Sequence, residues 1–109
     1  MTRELLRGYE RLNAQEEIQF LASLVFNLSM VARDSYVPGR YANANDRGRA
    51  FNEMIHRTSS QLLGCVGGQT GYPKETFFEI LFELSHDAGC DDDVVWAIQQ
   101  SLPKLTTPA

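Results

Sequence analysis

Two four-residue segments of this chain, Glu53-Met54-Ile55-His56 and Glu83-Leu84-Ser85-His86, end on its two histidines and repeat one pairing of a carboxylate with an imidazole. Residues three apart on an α-helix lie on the same face. Each segment, if helical, therefore directs both groups at one point, which is half of the geometry used by carboxylate-bridged metal centres in helical bundles. A complete centre also needs single carboxylates from two further helices, for which Glu16 or Glu17 and Glu79, or one of Asp91, Asp92 and Asp93, have the right chemistry. A metal reading thus rests on Glu53, His56, Glu83 and His86 holding zinc or a di-metal centre. Helical periodicity sets the opposing expectation, because both pairs fall on polar stripes that point away from the neighbouring apolar arcs. That orientation leaves a surface zinc site, or one shared between two copies, in preference to a centre inside one bundle.

The stretch from Asn45 to Val66 divides into two arcs at 100° per residue. Phe51, Met54, Ile55, Thr58, Leu62 and Cys65 form an apolar arc, and Arg49, Asn52, Glu53, His56 and Ser60 lie opposite. The plainest account of the polar arc is a solvated face carrying local pairs, Glu53 with Arg57 and Arg49 with Glu53, each worth only tenths of a kcal/mol. The sharper account is a partner-binding surface made of Arg49, Asn52, Glu53, His56 and Arg57. It offers forked donors, an amide, an acceptor and a group that titrates near neutral pH, which is more varied than solubility demands.

Arg49 and His56, with six residues between them, resemble the Arg-x(4 to 6)-His motif of the HEPN ribonucleases, small all-helical dimers that cleave RNA. The resemblance covers these two residues. A polar residue usually follows the arginine in those families, whereas Ala50 follows it here. The resemblance implies that Arg49 holds the scissile phosphate and stabilises its developing charge while His56 acts as acid or base. Other chemistries lack their parts. Gly64 stands at the end of a helix and Gly67 and Gly68 follow it, whereas a phosphate cradle needs glycines before one. Ser59 and Ser60 beside His56 have neither an orienting acid nor oxyanion donors.

The elements that must position these residues read as helices throughout. Arg3 to Arg11 places Leu5, Leu6, Tyr9 and Leu12 at helical spacing, a short helix or frayed arm weakened by Gly8. Asn13 with Glu16 three residues on forms a capping-box-like start for a helix running to about Asp34. That helix is apolar on most sides, with a first stripe of Ile18, Leu21, Ala22, Val25, Leu28 and Ala32, a second of Phe20, Leu24 and Val31, and a third of Phe26 and Met30. Tyr36-Val37-Pro38-Gly39 reads as a turn, Asn45 as the next cap, and Gly67-Gly68 as a helix end. Pro73 suits the start of a helix from Lys74 to about Ala88, stopped by Gly89. It carries Phe78 and Phe82 on a second apolar flank. Asp91 or Asp92 caps a last helix from Asp93 to Leu102, in which Trp96 reads as core.

The 109 residues, 43% of them hydrophobic, suit one all-α domain over 1–109. We expect a compact bundle of four main helices plus a short N-terminal helical arm (1–12), followed by a polar tail (103–109). The surplus of apolar faces on Phe20, Leu24, Val31, Phe78 and Phe82 predicts a homodimer. The net charge of −4 is concentrated: after Arg57 two lysines stand against seven Asp and Glu. An acidic half repels phosphate backbones, which disfavours nucleic acid as a partner and leaves any contact to Arg40, Arg47, Arg49 and Arg57. Cys65 and Cys90 match no disulfide framework or zinc spacing and read as reduced thiols, which with a charged start lacking an apolar signal region points to the cytoplasm. No window is apolar enough to span a membrane. The expected function is a noncatalytic regulatory or inhibitory protein-interaction module without a cofactor, whose protein partner meets the polar stripe or the acidic half. The metal bundle and the ribonuclease stand as alternatives.

Overall fold

The computed structural model describes residues 2–34, 44–68 and 71–103. Five helices are present among them, α1 (Thr2–Glu10), α2 (Ala14–Asp34), α3 (Ala44–Val66), α4 (Lys74–Asp87) and α5 (Asp91–Ser101), and no described residue forms a strand. The expected turn at Tyr36 to Gly39, Arg40 and the tail beyond Pro103 lie outside the described residues. None of the described helices is long and apolar enough to cross a membrane.

The signals that start and stop these helices act as the chain chemistry dictates. At α2 the Glu16 backbone N–H donates to Asn13 Oδ1 (2.8 Å) and the Asn13 N–H donates to Glu16 Oε1 (3.0 Å), a closed capping box. At the end of α4 the Gly89 N–H donates to the His86 carbonyl (3.1 Å) and the Cys90 N–H to the Ser85 carbonyl (2.8 Å). This Schellman closure needs a left-handed residue, and Gly89 supplies it at φ 68°. It also launches α5 earlier than expected. Cys90, not Asp91 or Asp92, occupies the cap position, with no side-chain capping bond, so all three aspartates lie in the first turn. Similarly α3 begins at Ala44, one residue before the expected cap Asn45.

Helix α2 is the central element, packing most extensively on α3 and then on α5. Phe20, Leu21, Leu24 and Leu28 form its buried edge and meet Phe51 and Met54 of α3, Phe77, Phe78 and Leu81 of α4, and Val94, Ala97 and Ile98 of α5 in one core. The third α2 stripe is not part of it. Phe26 is 64% exposed and Met30 is also exposed, because burying one side of a helix in a bundle this small leaves the opposite side to solvent. Ala22, placed by periodicity on the first stripe, is exposed as well.

The short first helix, α1, packs its inner side into the core. Tyr9 is fully buried, with its ring centroid 4.9 Å from that of Phe20, 5.1 Å from that of Phe78 in a stacked arrangement and 6.0 Å from that of Phe77 edge-on. This insertion uses apolar surface on which the homodimer expectation rested. Phe20, Leu24 and Phe78 are buried within one chain, and Val31 and Phe82 are partly buried against the same core. Trp96 reverses its expected place: Val94, Ala97 and Ile98 take the buried side of α5, leaving Trp96 43% exposed.

Candidate functional site

The outward face of α3 carries the side chains singled out by spacing. Arg49, Asn52 and His56 are exposed, while Glu53 and Arg57 are partly buried. The Arg57 guanidinium donates from Nε to Glu53 Oε1 at 2.8 Å and from Nη1 to the Tyr72 hydroxyl at 2.6 Å. The bond to Glu53 is the main reason its pKa lies above the ordinary arginine value. Arg57 is thereby held across the gap between α3 and the segment that enters α4. That segment is itself fixed by Gln61. Its amide donates to the Tyr72 carbonyl (2.7 Å) and its Oε1 accepts from the Tyr72 N–H (2.8 Å). Two turns beyond His56 the face ends in apolar groups, Leu63, 70% exposed, and then Val66.

The structure does not assemble the four metal-reading residues. Glu53 is engaged by Arg57, and His86 Nδ1 lies 3.2 Å from Asp91 Oδ2. Among the described residues no three His, Cys, Asp or Glu side chains converge as ligands would. The cause is the one periodicity supplies: the two Glu-x-x-His stripes lie on the outer sides of α3 and α4, while Phe51, Met54, Phe77 and Leu81 point inward. Arg49 and His56 do share an exposed face, seven residues and so about 10 Å apart along the axis.

Comparison with family models, curated proteins and solved structures gives no match. The site is therefore read from its own geometry.

Of the positive group suggested for nucleic acid, Arg47 is not available on the surface. It is 3% exposed, ion-paired with Asp93 of α5 and set over the Phe51 ring at 5.5 Å from the centroid. Periodicity contains the signal: positions 47, 51, 54, 58, 61 and 65 follow alternating steps of four and three, so Arg47 and Gln61 stand on the same stripe as Phe51 and Met54. Polar residues on a buried stripe call for hydrogen-bond or ionic partners, and Asp93 for Arg47, the Met54 carbonyl for Thr58 and Tyr72 for Gln61 are those partners.

A second polar cluster joins four helices at the base of α1. The Tyr9 hydroxyl donates to Glu17 Oε2 at 2.5 Å, and Lys74 Nζ donates to the carbonyls of Tyr9 (3.0 Å) and Leu12 (3.1 Å) while lying over the Tyr9 ring. Burial, then the bond to Glu17 and its charge, push the Tyr9 phenol well above the ordinary tyrosine value. Burial is also the main cause that raises the Cys65 thiol, with Glu17 adding and Lys74 opposing. Cys90 is raised by burial, with Asp91 adding to it and the nearby Arg47 opposing. Both thiols are consequently held protonated, the form that is poor in nucleophilicity and metal binding.

Proposed function

We propose that this chain is a small noncatalytic interaction protein, regulatory or inhibitory in action, that binds a protein partner through the outward face of α3. The observation that carries this reading is the Glu53–Arg57–Tyr72 chain of bonds beside exposed Arg49, Asn52 and His56. A cation already fixed in place loses less conformational freedom on binding than a free side chain, which favours its use in recognition. The exposed Leu63 and Val66 at the end of the helix supply apolar area next to it, a mixture typical of interface centres enriched in arginine and depleted in lysine. The free Cys65 and Cys90, which form no disulfide with each other, suit a reducing cytoplasm.

Self-association belongs to the same proposal, moved from its original residues to Phe26 and Met30, which lie one turn apart on the outer side of α2. The ribonuclease reading retains one supporting fact, the shared exposure of Arg49 and His56. His56→Ala protein incubated with unstructured RNA tests it: cleavage by the parent that the variant lacks would make the chain an enzyme and displace the noncatalytic reading.

The direct test places a photo-crosslinking residue at position 52, and separately at Gln99 on the exposed side of α5, in protein expressed in its native host. Crosslinked protein species specific to position 52 and lost on Arg49→Glu are expected. Identical products from both positions, or products indifferent to Arg49→Glu, would remove α3 as the binding face.

A further inference from the structure

Away from α3, two clefts run along the outer side of α4 and meet at Glu79 and Phe82. The first is bounded by Arg3 and Leu6 of α1 and by Glu75, Phe78 and Phe82, and the second continues past Glu83 and His86 to Asp91 and Val95 of α5. Together they make one groove crossing three helices. Its floor is apolar: Leu6, Phe82 and Val95 are each only partly buried, and Phe78 lies beneath them. Its rim is anionic. Glu75, Glu79 and Glu83 recur every fourth residue, all three exposed, and Asp91 stands at the far end. The cations at the groove are Arg3 at its α1 end and, when protonated, His86, which already faces Asp91.

We infer that this groove docks a basic amphipathic helix of a partner protein, its apolar side on Leu6, Phe82 and Val95 and its lysines or arginines along the glutamate rim. The inference rests on the reading of the chain as an interaction module and assigns that module a second surface and a class of partner. Dimensions agree with it. From Glu75 to His86 the groove follows α4 for twelve residues, a rise of about 16 Å, or three helical turns. A docked helix of similar length presents apolar residues at i, i+3 or i+4, and i+7, spaced to meet the floor. Charge decides the occupant. A rim of four carboxylates repels nucleic acid and anionic lipid but attracts a cationic helix, steering its approach and penalising acidic competitors. The ammonium groups of such a helix extend on flexible stems from the edges of its apolar face, where the glutamates stand.

The test uses a designed fluorescent peptide of about twelve residues, lysine-rich, with leucines at i, i+3 and i+7, titrated with the intact protein and followed by fluorescence anisotropy at low and at roughly physiological salt. Binding that weakens with salt is expected, with peptide helicity rising on addition of protein. Glu79→Lys/Glu83→Lys should reduce affinity by about tenfold or more, as should replacing the leucines by glutamine, since the first removes rim complementarity and the second removes the floor contact. Both glutamates are exposed, so an unchanged circular dichroism spectrum is expected for the variant and confirms that the loss is local. Equal binding of the leucine-free peptide, or of the parent peptide to the double variant, would overturn the groove. A free protein that sediments as a dimer dissolved by Glu79→Lys/Glu83→Lys would also overturn it, by giving the groove to a second copy. Crosslinking from position 52 separates the two surfaces: partner capture there that Arg49→Glu abolishes, together with peptide binding unaffected by Glu79→Lys/Glu83→Lys, would refute the groove while leaving the α3 reading intact.

Discussion

Replacing Tyr9 by phenylalanine should change the sign of its effect on stability as pH rises. The ring sits among Phe20, Phe77 and Phe78, and phenylalanine keeps that packing, so the substitution isolates the hydroxyl and its bond to Glu17. A hydrogen bond to a charged acceptor contributes about 1.5 to 3 kcal/mol, and we take about 2 kcal/mol for the loss in Tyr9→Phe near pH 8. Above about pH 10 the balance shifts, because an unfolded tyrosine ionises there while the buried Tyr9, whose pKa is raised, stays protonated in the folded protein. The unfolded state then binds fewer protons than the folded one, and stability falls with pH. The contribution of Tyr9 is complete below the unfolded value and declines by about 1.4 kcal/mol for each further pH unit. Phenylalanine has no such loss. The two stability curves should therefore cross near pH 11.5, with Tyr9→Phe the less stable protein below and the more stable above. Urea unfolding followed by circular dichroism at intervals from about pH 8 to 12 measures the difference directly, and titration of lysines and thiols common to both proteins cancels. A stability difference that stays constant across this range would refute the reasoning, since it would mean that Tyr9 ionises equally in the two states.

The remaining expectations concern Gly89 and Gly71, the Arg47–Asp93 ion pair and self-association. Gly89→Ala should cost about 1 to 2 kcal/mol through the left-handed backbone alone, because nothing lies within 4 Å of the added Cβ. Gly71→Ala should destabilise for a different reason, since its Cβ would stand 2.5 Å from Gln61 Oε1 and displace the amide from the bonds that fix Tyr72. Pairing Gly71→Ala with Gln61→Ala should recover part of that loss, as thermal midpoints would show. Asp93→Asn should destabilise by about 3 kcal/mol by removing the charge from the ion pair it makes with the buried Arg47, and Arg47→Met in the same protein should restore part of the loss. An Asp93→Asn variant unchanged in urea midpoint would show that the pair is not buried in solution. Phe26→Ser/Met30→Ser should shift a sedimenting dimer to monomer without loss of helicity, whereas a parent already monomeric at high concentration would end the self-association proposal.

Helix existence, helix order and the capping box at Asn13 were legible in the sequence because each depends on neighbours within a turn or two. The core face of α3 was legible for the same reason, and so was the outward direction of Arg49, Asn52 and His56. Legibility failed where the answer depended on which element arrives from far along the chain. Phe20 and Phe78 looked like surplus surface because nothing in their own helices announces that Tyr9, from a segment weakened by Gly8, will lie across them. Trp96 looked like core on composition, yet the buried side of α5 is set by Val94, Ala97, Ile98 and Ser101, and tryptophan is on the other side. The groove on α4 was half legible: its glutamate stripe is a sequence pattern, but Leu6 and Val95 reach it from α1 and α5.

The polar groups inside this fold connect helices in pairs that the apolar core does not distinguish. Tyr9 with Glu17 joins α1 to α2, Arg47 with Asp93 joins α3 to α5, Asn27 Nδ2 donates to Ser101 Oγ (2.9 Å) between α2 and α5, and Lys74 ties α4 to the end of α1. Leucine and phenylalanine surfaces would tolerate a helix sliding by a fraction of a turn at little cost, whereas each of these bonds is satisfied in one register only and leaves a desolvated group behind in any other. The links converge on the elements that border the two proposed surfaces. Arg47 fixes the start of α5 against α3, and Lys74 and Tyr9 fix α1 against the start of α4, which constrains the distance between Leu6 and Phe82 in the groove floor. A chain with so small a core thus holds a three-helix groove open through polar contacts that lie outside it.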